Sequence, residues 1–576
     1  MEIIVMANFI KTQNSFANGE VAPEFYAHDN IQGLSRLDNM NVLSGGGISK
    51  RAGLRTVAQL PGAARLISFS VSDNESYIIA LTDKRMCIYR NKEKYQDLIT
   101  PWSYEDLAYI QYAQRFGTMI FVHPDFIPIV LYKSENRFFI SDFSFARNDA
   151  DMTVNIPFVS FDDSAGVKIT VTTCSLGNNY ATFTTNTDFW TTDCIGGQLL
   201  LLDKQWIIHE YISPTEIIAY TNGTYSIPSG PIADWREAAF SARRGWPRSI
   251  TFHQDRLIFG GSRDWPSGIW MSKVGCHNNF DIGTGLDDEA IFISLMSQQR
   301  QQICTVISSD NLQILTNIGE WAISNTPLTP SAVDIKQHTS VGSYSAPIVV
   351  PQRIETSTVF IASNGFEIRE LGLDELGENY KADDLCAYAK HIVRNPVDMA
   401  YCQINHRLYV VRSDGIMAVL NKNSALGICA WGTYTTAGKF LSVTVCGEIT
   451  YVAVLRNGNV FLECFDDEML CDCEIYNFSY TASAIPFRTS GHNPARVRIR
   501  KISARLLDTK SIHINSHRLN LPNEIYSVDA PGFCGDVSIN VLGVMHDCVY
   551  PPWTIHGNDG LPITVLSVSI HGWYIV

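Results

Sequence analysis

His253, Asp255 and Arg256 lie within four residues of one another in WPRSITFHQDRLIFGGS, residues 246–262. A histidine beside a carboxylate can work as a general acid–base pair, provided a nucleophile or second acid stands within hydrogen-bond reach. The surrounding sequence places no such partner. On an extended strand, His253 and Asp255 share one face, and Phe252, Gln254 and Arg256 share the other. The stretch therefore reads as a hairpin with a wet His/Asp edge. Arg256, just before Leu257-Ile258-Phe259, is expected to turn inward to a buried carboxylate or to carbonyl oxygens. Trp246-Pro247 opens this stretch and Gly260-Gly261 closes it.

Glycoside hydrolysis is the main enzymatic rival. It needs two carboxylates roughly 5–10 Å apart. Candidates are Asp287, Asp288 and Glu289 in LDDEA, Asp374, Glu375 and Glu378 in DELGE, and Asp466, Asp467 and Glu468 in FDDEM. Adjacent carboxylates on loops read first as solvated turns, and Asp287–Glu289 also as an acidic loop that could face a channel. Gly45, Gly46 and Gly47 lack the trailing Lys-Ser/Thr of a phosphate-binding loop, so they read as a turn or a close backbone approach. Cys471 and Cys473 form half a zinc site at most. The other cysteines, of 14 in all, scatter without a repeating interval and are expected to be reduced and mostly buried. The expectation is no catalytic residue, no metal and no cofactor.

The elements that must position these residues are strands. The 576-residue chain is 45% hydrophobic and 18% charged, so it can bury a substantial core. Runs rich in Val, Ile, Tyr and Phe alternate with Gly, Asn, Asp and Pro. STVFIASNGFEIREL (357–371), RLYVVRSDGIMAVL (407–420) and TYVAVLRNGNVFLEC (450–464) share one design, two strands joined at Asn-Gly or Asp-Gly. Such dipeptides tolerate the positive φ of a tight hairpin turn. Their glycines, Gly365, Gly415 and Gly458, recur at about the 40–50 residues of one propeller blade. SYIIALTDKRMCIYR (76–90), MIFVHPDFIPIVLYK (119–133) and CTVISSDNLQILTNIGEWAIS (304–324) fit as further blades.

The fold class expected is all-β: a β-propeller-like body with an inserted β-domain and a C-terminal β-sandwich-like domain. The divisions are an N-terminal segment at 1–60, first hairpins at 61–149, the insertion at 150–240, the main repeats at 241–474 and a C-terminal β domain at 475–576. One helix is expected at 382–393, ADDLCAYAKHIV. Leu385, Tyr388, Ala389 and Ile392 would share a face, with Asp383 or Asp384 as its cap.

Formal charge is −14, from 44 Lys and Arg against 58 Asp and Glu. Affinity for phosphates comes mainly from Lys and Arg, so this balance opposes tight nucleic-acid binding. It does not oppose DNA sliding past. The basic stretches SKRAGLR, ARRGWPR and ARVRIRKISARLL read as solvated faces or contacts with an acidic neighbour. The apolar runs are too short to span a bilayer as helices. The opening MEIIVMANFIKTQNSF lacks a basic leading segment and a cleavage site, so the chain is expected to fold in a cytoplasm.

Several segments together resemble the tail nozzle proteins of short-tailed phages, also called tail tubular protein B. The first is NSFANGEVAPEFYAHDNIQGLSRLDNMNVLSGGGISKRAGLRTV (14–57), with Gly45–Gly47 and Arg51. The second is GWPRSITFHQDRLIFGG, with Trp246, Pro247 and Arg256. Next come NLQILTNIGEWAISNTPLTP (311–330) and GFEIRELGLDELGENYKADDLCAYAKHIV, with Arg369, Glu370, Asp384 and His391. LPITVLSVSI (561–570) is the last. They keep the family's order along most of the chain. The usual proline after the arginine is Ala52 here, and many nozzle proteins are longer.

The resemblance implies a structural subunit of a phage or phage-derived particle. Copies, six in the family, would form a ring beneath an adaptor, with residues 1–60 making adaptor or ring contacts and tail fibre or receptor-binding proteins as further partners. The subunit would reside in the virion tail after assembly in the host cytoplasm. DNA would cross the ring without tight binding, repelled by acidic walls over a Debye length of roughly 8 Å. The alternative is a carbohydrate-binding or glycan-cleaving tail propeller.

Overall fold

The structure is a computed structural model. It describes every residue except 1–5, 27–30, 73, 149–151, 178, 224, 228–229, 378, 487–495, 522–530, 542–543, 547–549 and 576. The chain is all-β, and its body is propeller-like. Among the described residues the helical segments are short 3-10 turns.

The body repeats one unit, a four-stranded antiparallel sheet whose strands follow chain order. One compact unit comprises residues 1–107, 351–372 and 382–576. It holds Arg65–Ser72, Glu75–Thr82, Arg85–Arg90 and Glu93–Ile99 as one sheet. Pro396–Cys402, Arg407–Arg412, Met417–Asn423 and Ile428–Tyr434 form a second meander. Lys439–Cys446, Ile449–Arg456 and Asn459–Asp466 form a third, and its fourth strand is Gly53–Leu60 from the other end of the chain. The other unit comprises residues 108–350 and 373–381. Its sheets are Gln111–Arg115 to Arg137–Asp142, Ser249–His253 to Ile291–Ser294, and Ile303–Ser308 to Ile335–Thr339.

Middle strands are buried on both faces because each sheet is packed between neighbours. Arg256–Gly260, Gly268–Met271 and Leu312–Thr316 are buried throughout. Ile258, Ile269 and Met271 of one sheet share a core with Val306, Leu312 and Ile314 of the next. This accounts for near-continuous apolar runs where a half-buried strand would alternate. The Asn457-Gly458 turn has φ of 48° and 82° and joins Arg456 to Asn459, a two-residue hairpin with both central residues left-handed.

First strands lie side by side, Pro396–Cys402 with Lys439–Cys446 and Lys439–Cys446 with Arg65–Ser72 in the first unit, and Gln111–Arg115 with Ser249–His253 and Ser249–His253 with Ile303–Ser308 in the second, and a buried serine bridges them in both units. In the first unit, Ser442 Oγ donates to Asp398 Oδ2 and accepts from Leu66 N at 2.8 Å. Asp398 also accepts from Val443 N at 3.0 Å and Met399 N at 2.9 Å. In the second, Ser249 Oγ donates to Gln111 Oε1 at 2.8 Å and accepts from Val306 N at 2.8 Å. Gln111 Nε2 donates to Cys304 O at 2.5 Å.

The insertion is a seven-stranded sheet within the second unit, from Phe158–Val159 to Trp235–Ala238. Its core gathers Phe183, Trp190, Trp206, Ile217 and Trp235. The C-terminal region is β-sandwich-like. Arg496–Thr509, Phe533–Asn540 and Thr564–Ile575 make one sheet with Met6–Gln13 and Ile48–Lys50. Tyr480–Ala484 and Thr554–Gly557 join Gly33–Asp38 in the other. Phe16, Leu37, Tyr480, Ile502, Trp553 and Val568 share the core between them. Both ends of the chain therefore contribute strands to this region.

The helix expected at 382–393 is absent. Tyr380–Asp384 is a strand, and turns follow it. Ala389 N donates to Cys386 O and Ile392 N to Ala389 O, bonds three residues apart that never extend into a helical ladder. Asp384 Oδ1 accepts from Cys386 N at 2.8 Å, so its capping chemistry serves a turn. Of the four residues expected to share its face, Ala389 and Ile392 are buried, whereas Leu385 is partly exposed and Tyr388 is exposed.

Candidate functional site

The hairpin at 249–260 forms, but its edge differs from expectation. His253 pairs directly with Arg256, so Gln254 and Asp255 are the turn, with φ of 45° and 58°. His253 is 7% exposed, not wet. Its Nδ1 stands 2.9 Å from Ser308 Oγ, and burial lowers its pKa. Asp255 is half-exposed and pairs with Arg115 at 2.6 Å. The turn separates the two groups that a shared strand face would have aligned.

Arg256 is fully buried and bonds to carbonyls: Ser272 O at 2.8 Å, Glu289 O at 2.6 Å, Asp287 O at 2.8 Å and Leu328 O at 3.3 Å. Burial lowers its pKa. The carbonyls of Asp287 and Glu289 thus meet at Arg256, while their carboxylates have other roles. Glu289 Oε2 accepts from the N–H groups of Thr284, Gly285 and Leu286 at 2.8, 2.6 and 2.8 Å, which ties up the loop and lowers the Glu289 pKa. Asp288 pairs with Lys273 at 2.9 Å. Trp246 N donates to Pro124 O at 2.8 Å, fastening the Trp246-Pro247 segment to an adjacent hairpin turn.

In the first unit, Arg51 is the centre of a buried knot. Its guanidinium bonds Asp472 through both nitrogens at 3.0 and 2.9 Å, Asn39 Oδ1 at 2.8 Å and Thr435 O at 2.9 Å, and lies 3.6 Å from the Phe478 ring centroid. Gly46 has φ of 83°, and a Cβ there would meet Ser15 Oγ at 2.7 Å. A Cβ on Gly47 would meet Val565 O at 2.9 Å, whereas Gly45 faces open space. Glu370 pairs with Lys422 at 2.6 Å. Arg369 pairs with Glu367 and stands 4.0 Å from Asp384. His391 Nε2 lies 2.7 Å from Glu20 Oε1. Each group sits in its own network.

A polar cleft of about 750 Å³ lies in the second unit. Its walls come from residues 161–163 of the insertion, Arg244, and 263–267 and 294–301 of two blade sheets and their connections. Arg244 is buried between Glu237, whose Oε2 accepts from its Nε at 3.1 Å, and Asp163, bonded at 2.8 and 2.9 Å. Burial opposes its charge, but these hydrogen bonds hold its pKa above the ordinary arginine value. Arg263 pairs with Asp264 at 3.1 Å. Sequence reasoning placed Arg244 in a basic stretch and missed the cleft, because its walls are far apart along the chain.

Among the described residues no group of three or more His, Cys, Asp or Glu is arranged to hold a metal ion, and no helix is long and apolar enough to cross a membrane. Glu378, one of the carboxylates considered for glycoside cleavage, lies outside the described residues.

The sheets define an all-β protein with a propeller-like body. No family model matches the chain, and no curated relative matches it. Solved structures similar to it include the WD40 repeats of RRP9, at 6% identity over 73% of this chain and 100% of that one, with a TM-score of 0.35. BamB from Moraxella catarrhalis is 10% identical over 73% and 100%, with a TM-score of 0.33. The computationally designed protein Ika8 is 10% identical over 71% and 99%, with a TM-score of 0.35. At these scores the likeness carries no argument, and the propeller-like description rests on the sheets themselves.

Proposed function

We propose that this chain is a structural subunit of a phage or phage-derived tail, a nozzle whose copies form a ring that conducts DNA during ejection. The observation that carries this reading is the use made of charged residues in the segments that resemble nozzle proteins. Arg51 is consumed by Asp472, Arg256 by four carbonyls, Glu370 by Lys422 and His391 by Glu20. Groups that an enzyme would present to a substrate here brace strands and turns. Copies close a ring when one face binds a different face of the next copy and the rotation closes. Six copies, an adaptor partner, contacts with fibre or receptor-binding proteins, and residence in the virion tail follow from the family resemblance. The net charge of −14 suits a wall past which DNA slides without sticking.

Electron microscopy of the purified full chain with the adaptor of the same particle tests this. Closed rings stacked on the adaptor are expected. A chain that stays monomeric beside a correctly assembled adaptor overturns the reading.

A further inference from the structure

We propose that the cleft at residues 161–163, 244, 263–267 and 294–301 binds a neutral saccharide. The inference stands apart from the ring reading, because it concerns a site within one copy.

Charge decides the class of ligand first. Three aspartates and three arginines line the cleft: Asp162, Asp163 and Asp264 against Arg244, Arg263 and Arg300. Arg244 is held by Asp163 and Glu237, and Arg263 by Asp264. Asp162 and Arg300 carry no ion pair among the described residues, which leaves one free charge of each sign. A phosphate or nucleic acid would meet aspartates with a single uncommitted cation, too little for the contacts such ligands need. A cationic ligand meets the opposite obstacle in the arginines.

The remaining lining suits hydroxyl groups, which donate and accept at once. Gln298, Gln299 and Gln301 each offer a donor and an acceptor in one plane, and the hydroxyls of Ser267 and Ser294, bonded to one another at 3.0 Å, and of Ser297, which donates to Gln299 O at 3.0 Å, keep acceptor capacity beside them. Gln301 supplies an independent sign. It lines the cleft at 4% exposure, and neither its Oε1 nor its Nε2 has a hydrogen-bond partner. Burying an amide without partners is costly, and a pair of neighbouring sugar hydroxyls matches its two atoms.

Trp265 gives the cleft an aromatic wall, as the apolar C–H face of a sugar ring requires. Its indole is set by Phe161 and Phe292, both edge-to-face at 5.5 and 5.6 Å between centroids, and by a 3.1 Å bond from Nε1 to Ser294 Oγ. A volume of about 750 Å³ is within the roughly 300–1,000 Å³ of ligand clefts. Binding is the whole of the proposal, and no cleavage step is attached to it.

The test is saturation-transfer NMR on the full chain with four neutral oligosaccharides, maltohexaose, cellohexaose, xylohexaose and chitohexaose, and with inorganic phosphate as the charged probe. At least one oligosaccharide should give saturable transfer, weakened at least tenfold in Gln301→Ala and in Trp265→Ala. The rim pair Gln299→Ala with Arg300→Ala, both exposed and safe for folding, should weaken it about threefold. Silence from all four oligosaccharides overturns the proposal. So does transfer that survives unchanged in the rim pair and in whichever of the two wall variants folds, or phosphate that binds in competition with the sugar.

Discussion

Two serine bridges, one in each unit, do the same job with different chemistry. Ser442 and Ser249 each accept an N–H from the next sheet's first strand and donate to the preceding one. The acceptor is the buried carboxyl of Asp398 in one case and the amide of Gln111 in the other. The buried arginines divide in the same way: Arg51 faces the carboxylate of Asp472, and Arg256 faces carbonyls. A neutral acceptor is enough to join two blades. A buried charge at the same place adds dependence on pH and on an intact partner.

The largest test of that contrast is the arginine pair. Arg51→Met takes from buried Asp472 its two-bond partner, leaving only Arg456 at 4.0 Å, and should cost about 3–5 kcal/mol in urea unfolding. Arg256→Met leaves only carbonyls short of a donor and should cost about 1–3 kcal/mol. Equal losses would break the comparison. Next in size, Asp398→Ala removes the acceptor of three donors and should cost about 3 kcal/mol, against about 1–2 kcal/mol for either Ser442→Ala or Ser249→Ala.

The pH response sharpens the contrast. Burial raises the Asp398 pKa above the ordinary 3.8, although Arg65 and its hydrogen bonds pull the other way. The folded state therefore holds this proton more tightly than the unfolded state. The stability it contributes is complete below pH 3.8 and is lost as pH rises through the raised value. The unfolding free energy of the wild type should fall relative to Asp398→Asn as pH rises from 4, at no more than about 1.4 kcal/mol per pH unit. Gln111→Glu should install the same slope in the second unit. The smallest effect belongs to Lys273→Ala. Its partner Asp288 is exposed, and no shift of the midpoint is expected at any pH.

The hairpins were legible wherever a turn carried its own chemistry, as Asn457-Gly458 does. The turn at Gln254-Asp255 was hidden because neither residue is glycine, although both adopt positive φ. That single gap turned a buried histidine into an apparently wet one. The spurious helix at 382–393 arose from the opposite error: the apolar residues Leu385, Tyr388, Ala389 and Ile392 are spaced as on one helix face, but the chain forms successive turns that bury Ala389 and Ile392 and leave Tyr388 exposed. Arg256 was read correctly as an inward arginine, because a charge before Leu257-Ile258-Phe259 must take its partners with it. The partners themselves, and the whole of the saccharide cleft, depend on segments brought together from 161 to 328. No local pattern encodes them.

The strand at 53–60 completes a sheet whose other members are residues 439–466. Synthesis makes it early and its partners late, so it leaves the ribosome long before it has anything to pair with. Until then its edge groups must be solvated or held by a chaperone, and a transcript cut short before codon 466 yields a chain with an unfinished, adhesive border. Only a chain translated past that point can seal this sheet.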